Sequence, residues 1–173
     1  MGRIYLYTGT GAGKTTNALG LALRSLGHGH KVVIIQFMKG RKDIGEIKVK
    51  EKLCREYRDL YEIYQFGREE FIDLNNPSKE DRDLAEKGLK MVEEKLKEKP
   101  NLLILDEINL ACAIGLLDVK KVVSLLKSIP EETDVVLTGR YAPLELAKIA
   151  DFINEVLPTK MPSKMEARKG INY

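Results

Sequence analysis

The chain has 173 residues, the size of a single domain at roughly 100 to 200 residues per domain. Lys and Arg number 29 against 26 Asp and Glu, and the formal charge of +3 is too slight to indicate a nucleic-acid partner. A hydrophobic content of 43% excludes disorder along the whole chain, and no apolar run approaches the roughly 20 residues of a membrane helix or the long apolar stretch of a signal peptide, so a cytoplasmic protein without membrane contact is expected.

Short apolar runs alternate with segments of helical period. This is the pattern of an α/β protein in which a mostly parallel sheet of about six strands carries helices on its faces. Residues 4–7 read as the first strand. Directly after it comes Thr8-Gly9-Thr10-Gly11-Ala12-Gly13-Lys14-Thr15, which opens a helix over residues 15–26. Backbone N–H groups in such a loop converge on a concavity, and the helix adds its unpaired amides and positive dipole end, so phosphate oxygens settle there in place of water. Gly9, Gly11 and Gly13 permit that approach; Lys14 places its ammonium on the outer phosphates and the Thr15 hydroxyl ligates magnesium. The loop is a variant, because Thr8 stands where the usual pattern begins with glycine. The rival reading, a glycine-rich turn that binds nothing, gives that glycine density no structural return.

His28 and His30 flank Gly29 in the next turn, and with no third ligand evident they read as a polar turn rather than a metal site. A strand over residues 32–37 runs into QFMKG, which brings Lys39 and Gly40 toward the strand-end crevice, as the following segment does Gly45 and Glu46. A helix over 47–57 and a strand over 61–65 follow. Residues 66–77, FGREEFIDLNNP, form a loop. Within it Phe71 is either a packing anchor or a lid residue over a flat ligand. Ser78, with Asp81 three residues on, marks the start of a helix over 79–96 that gives way before Pro100.

The strand over 102–105 leads into Asp106-Glu107. Strand ends in open α/β sheets gather at one crevice, which sets at least one of these carboxylates in a magnesium shell opposite Thr15. A helix-capping aspartate is the alternative. A helix over 119–127 precedes a strand over 135–138, after which Gly139 delivers Arg140, either a phosphate contact or an ordinary surface arginine. A helix over 144–150 and a sixth strand over 153–156 complete the series. Cys54 and Cys112 form no CxxC pair and indicate neither a zinc site nor a disulfide framework.

Taken as a set, GTGAGKTT, QFMKG, Gly45-Glu46, LDEI, TGRYAPLEL, Ala150-Asp151, Glu155 and the closing Gly170-Ile171-Asn172-Tyr173 resemble, in order and over nearly the whole chain, the ATP:corrinoid adenosyltransferases of the cobalamin pathway. The phosphate loop alone is shared by very many proteins; the combination is far more specific. The resemblance implies a three-layer RecA-like phosphate-loop fold, a homodimer, and transfer of the 5′-deoxyadenosyl group of ATP to a corrinoid reduced to cobalt(I) by a separate electron donor. Triphosphate is released. Carried onto this chain, it implies that Gly9, Thr10, Gly11, Ala12, Gly13, Lys14, Thr15 and Thr16 hold the triphosphate and that Thr15 and Glu107 ligate magnesium. Glu46 then lies near the ribose and Phe71 faces the corrin. The chain departs from the family at Ala12, where lysine is common, at Ile72-Asp73, where an aromatic often follows, and over residues 160–167, a shorter connection than usual. A small-molecule kinase or ATPase, or an ATP-sensing module without catalysis, are the readings the phosphate loop and Asp106-Glu107 would support without the rest of the set.

Overall fold

The six apolar runs line up in one sheet because each is too short and too branched to be a helix and each is followed by a segment that returns the chain over a face. In the computed structural model, which describes residues 2–70, 72–164 and 166–172, they are β1 (Ile4–Thr8), β2 (Val32–Phe37), β3 (Tyr61–Phe66), β4 (Leu102–Asp106), β5 (Asp134–Thr138) and β6 (Phe152–Glu155). Their order across the sheet is β3-β2-β4-β5-β1-β6, and every neighbouring pair is parallel. The intervening helices are α1 (Lys14–Leu26), α2 (Gly45–Lys52), α3 (Arg55–Arg58), α4 (Lys79–Lys97), α5 (Ile108–Ala113), α6 (Val119–Leu126) and α7 (Leu144–Ile149). The result is a three-layer α/β phosphate-loop fold.

Side chains alternate between the two faces along each strand. Val33, Ile35, Phe37, Leu103, Leu105, Val135 and Leu137 point to the face covered by α4, α5, α6 and α7, where Ala85, Leu89, Val92 and Val122 meet them. Val32, Ile34, Leu102, Ile104 and Val136 point to the other face, under Ala18, Ala22 and Leu26 of α1. Each fully buried Leu, Ile or Phe in these layers contributes about 1.5–3 kcal/mol. The central strands β2 and β4 are buried at every position, whereas β6 at the edge is exposed at all four.

Two expectations change. The single helix over 47–57 is two helices, because Leu53 and Cys54 both turn to extended backbone and Leu53 packs against the α1-side core. A short helix, α5, follows β4 directly; its Ile108, Leu110, Ala111 and Cys112 are all buried. Ser78 caps α4 as expected, with the Asp81 carboxylate returning a bond to the Ser78 N–H in a capping box.

At the β3 edge, the Glu62 carboxylate accepts bonds from Lys95 at 2.6 Å, Tyr64 at 2.6 Å and Lys31 at 3.0 Å. Burial alone would raise this carboxyl, but those three donors outweigh it and bring it down to about 2. A depressed carboxyl stabilises the fold above its unfolded pKa and loses that contribution as pH falls toward the folded value. Glu62→Gln is therefore expected to be less stable than the parent at neutral pH, with the gap closing between about pH 4.3 and pH 2; urea unfolding across that range measures it.

Candidate functional site

All strand ends of one direction meet at the carboxyl edge of the sheet, and so do the residues singled out by their chemistry. The loop between β1 and α1 is strapped to the sheet from behind: the Gly11 N–H donates to the Val156 carbonyl at 2.8 Å and the Val156 N–H donates to the Thr8 carbonyl at 2.9 Å. At Gly9, φ is +98° and a Cβ would lie 2.4 Å from the Val156 carbonyl oxygen, so only glycine fits. Gly13, left-handed at φ 108°, is the N-cap of α1 and makes no side-chain cap, leaving the first α1 amides facing outward.

Those amides open on a cavity of about 210 Å³ lined by residues 11–16, Glu107, Arg140, Ile171 and Asn172. Of the loop residues expected there, Gly11, Ala12, Gly13, Lys14, Thr15 and Thr16 line it. Gly9 is buried against Val156 behind the cavity, and Thr10 is exposed. Lys14 is 7% exposed, and its Nζ donates to the Gly11 carbonyl of its own loop at 2.6 Å. Burial lowers the Lys14 ammonium pKa; the Glu107 carboxylate opposes that and Arg140 adds to it. Arg140 thus sits at the cavity wall rather than on a remote surface.

Asp106, 1% exposed, is the centre of the polar cluster. Its Oδ1 accepts from Thr15 at 2.8 Å and Thr138 at 2.7 Å, and its Oδ2 accepts from Lys39 at 2.6 Å and Gln36 at 3.1 Å. Burial would raise this carboxyl; the Lys39 charge and the bonds from Lys39, Thr138 and Thr15 outweigh it and hold it below the usual carboxylate range. Glu107 behaves in the opposite way. It stands at φ +66°, its Oε2 is buried with no hydrogen-bond partner among the described residues, and burial plus the neighbouring Asp106 charge push its carboxyl up against Lys39, Lys14 and Arg140. It is the N-cap of α5 but its side chain makes no capping bond, so the helix-cap alternative does not describe either carboxylate's bonding. An orphaned buried carboxylate oxygen lining the same cavity as a threonine hydroxyl is a hard-oxygen donor set that fits a magnesium ion held jointly with phosphate oxygens.

Glu46, in the first turn of α2, accepts from Gln36 at 3.1 Å and lines a second cavity of about 250 Å³ with Lys39, Arg68 and Asn172. Phe71 lies outside the described residues. His28 and His30 lie away from this edge, ring centroids 6.0 Å apart, with His30 Nδ1 bonded to Ser25 Oγ. No group of three or more His, Cys, Asp or Glu is arranged for a metal among the described residues. Gln36, Thr138 and Asn109 belong to the site without having been singled out. Each is a fully buried polar residue in an apolar run, and that interruption is the signal. Asn109 donates to the Tyr7 and Gly139 carbonyls and so fixes the ends of β1 and β5.

A glycine loop between a parallel strand and a helix, faced by a strand-end carboxylate, defines a phosphate-loop protein. The family described as ATP:corrinoid adenosyltransferase BtuR/CobO/CobP matches residues 1–173. A corrinoid adenosyltransferase of Sinorhizobium is 35% identical over 99% of this chain and 80% of its own length, and one of Escherichia coli is 31% identical over 99% and 86%. An uncharacterised protein of Nostoc is 35% identical over 95% of this chain, which spans 46% of that relative's length. This chain belongs to the ATP:corrinoid adenosyltransferase family.

Because the loop is held by a glycine that a methyl group would displace, Gly9→Ala is expected to lower stability by about 1–3 kcal/mol, the range for a forced backbone position. A thermal melt of the nucleotide-free protein, compared with Gly29→Ala on an open turn, checks that the cost is larger at Gly9.

Proposed function

We propose that the cavity over residues 11–16 takes the tripolyphosphate of ATP, and that the chain transfers the 5′-deoxyadenosyl group of that ATP to the cobalt(I) of a reduced corrinoid, releasing triphosphate. The reading is carried by the convergence of the α1 amides, Lys14 and Arg140 on one small cavity in a chain of this family. In the transfer cobalt(I) supplies the electron pair for the new Co–C5′ bond, and the C5′–O bond breaks with its pair leaving on triphosphate. No phosphorus bond is broken. Cobalt(I) is itself a strong nucleophile, so no general base is required and the protein's work is alignment, exclusion of water and stabilisation of the leaving group.

Charge grows on the triphosphate oxygen that parts from C5′. Lys14, which in the free protein bonds its own loop at Gly11, exchanges that acceptor for phosphate oxygens, and Arg140 adds a second cation at the wall. Thr15 and Glu107 would hold magnesium, which supplies further neutralisation of the leaving group when bound. Asp106, already bonded four ways, positions Thr15. Glu46 is assigned to the ribose, beside the second cavity, and Phe71 to the corrin face on the family resemblance. A homodimer and a separate electron donor for cobalt belong to the same proposal.

The test is the product. ATP, magnesium and a chemically reduced corrinoid are expected to yield inorganic triphosphate together with the absorbance of a cobalt–carbon bond. ADP as the sole corrinoid-dependent phosphate product would instead support a kinase or ATPase and defeat the assignment. Lys14→Ala is expected to lower kcat/KM by about 10²–10³, the cost of removing one preorganised donor to a developing oxyanion, with circular dichroism unchanged. Near-parental turnover would remove Lys14 from the mechanism.

A further inference from the structure

Lys39 leaves β2 by a turn with little freedom. Met38 takes a left-handed φ of 57°, its N–H donates to the Phe66 carbonyl at 2.9 Å, and Gly67 presses so near that a Cβ there would lie 2.3 Å from the Lys39 nitrogen. The loops after β2 and β3 are thus in backbone contact, and the turn directs the Lys39 side chain over the end of β4. Its Nζ lies 2.6 Å from Asp106 Oδ2 and 3.2 Å from Thr15 Oγ1, and Thr15 Oγ1 in turn donates to the other Asp106 oxygen, Oδ1, at 2.8 Å. A divalent ion joining the Thr15 hydroxyl to the strand-end carboxylates would need the space this ammonium fills and would neutralise the charge it neutralises.

We propose that Lys39 is a built-in counter-ion at the metal position: it holds Asp106 in the metal-free protein, and it is displaced when magnesium enters with nucleotide. The inference rests on the reading that residues 11–16 bind magnesium and ATP. Two physical requirements make the exchange conditional. A carboxylate as buried as Asp106 cannot be left without a cation, so the ammonium stays until another charge arrives. A divalent ion entering alone would face Lys14, Lys39 and Arg140 together; the triphosphate removes that repulsion and gives the displaced ammonium an acceptor. The side chain has somewhere to turn, because Lys39 is 29% exposed and also lines the cavity beside Glu46. Nucleotide-free protein therefore binds magnesium poorly, and metal and ATP bind cooperatively.

The experiment is manganese binding to nucleotide-free protein, followed by electron paramagnetic resonance, for the parent and for Lys39→Met, which keeps the length of the side chain and removes its charge. The variant is expected to bind Mn²⁺ at least tenfold more tightly; equal or weaker binding by the folded variant overturns the proposal. A merely structural lysine would not give a gain on removal. Should Lys39→Met fail to fold, the parent crystallised with Mn²⁺ and ATP decides. An anomalous peak within bonding reach of Thr15 Oγ1, with Lys39 Nζ moved off Asp106, is expected. Manganese seated there beside an unmoved Lys39–Asp106 pair overturns this inference alone. Calorimetry that detects no ATP binding removes the nucleotide reading first, and this inference with it.

Discussion

A carboxylate buried to 1% exposure at the end of a central strand needs donors on every side, and the carboxyl edge of this sheet is organised around meeting that need for Asp106. An isolated buried charge would cost several kcal/mol. Here each oxygen accepts two hydrogen bonds, one pair of donors from the start of α1 and β5, the other from β2 and the turn after it. Removing any one donor exposes a charge that the interior cannot solvate. The carboxylate therefore ties three segments that are distant in sequence to the end of β4.

Strand alternation explains how those segments converge. Gln65, Gln36, Asp106 and Thr138 all stand at the ends of their strands on the α1 face, because each is an even number of residues from an apolar neighbour on that side. Register places Gln36 beside both Gln65 and Asp106. The row is joined by Gln65 donating to Gln36 at 3.0 Å, Gln36 to Asp106 and Thr138 to Asp106. It lies under the first turn of α1, so Thr15 completes it from above. Gln36 divides its two amide hydrogens between Asp106 and Glu46, which links the carboxylate at the end of β4 to the first turn of α2.

Much of this was legible before any coordinates. All six strands are short branched-apolar runs, and the phosphate loop carries its own context. The boundaries of β1, β4 and β5 differ by a residue because Thr8, Asp106 and Asp134 are polar and yet continue the ladder, while β3 gains Phe66 and β6 is shifted by one residue to 152–155. α5 has no sequence signal of its own: INLACA is apolar on every side and only six residues long, so no amphipathic period exists to detect. Lys39 could be placed at the strand-end crevice, but its pairing with Asp106 depends on the Met38 turn, which no residue type advertises; a left-handed methionine is held there by the neighbouring loop. Arg140 and Glu107 stood among alternatives that only the shape of the cavity wall resolves into neighbours.

The strap between Gly11 and the Val156 backbone joins the loop after β1 to the residue that follows β6. During synthesis the glycine loop is therefore made well before the carbonyl that holds it in shape. Until β6 has been synthesised and docked beside β1, the loop lacks that support. ATP bound as proposed can then act as a ligand of the finished molecule, but not as a template for its early folding.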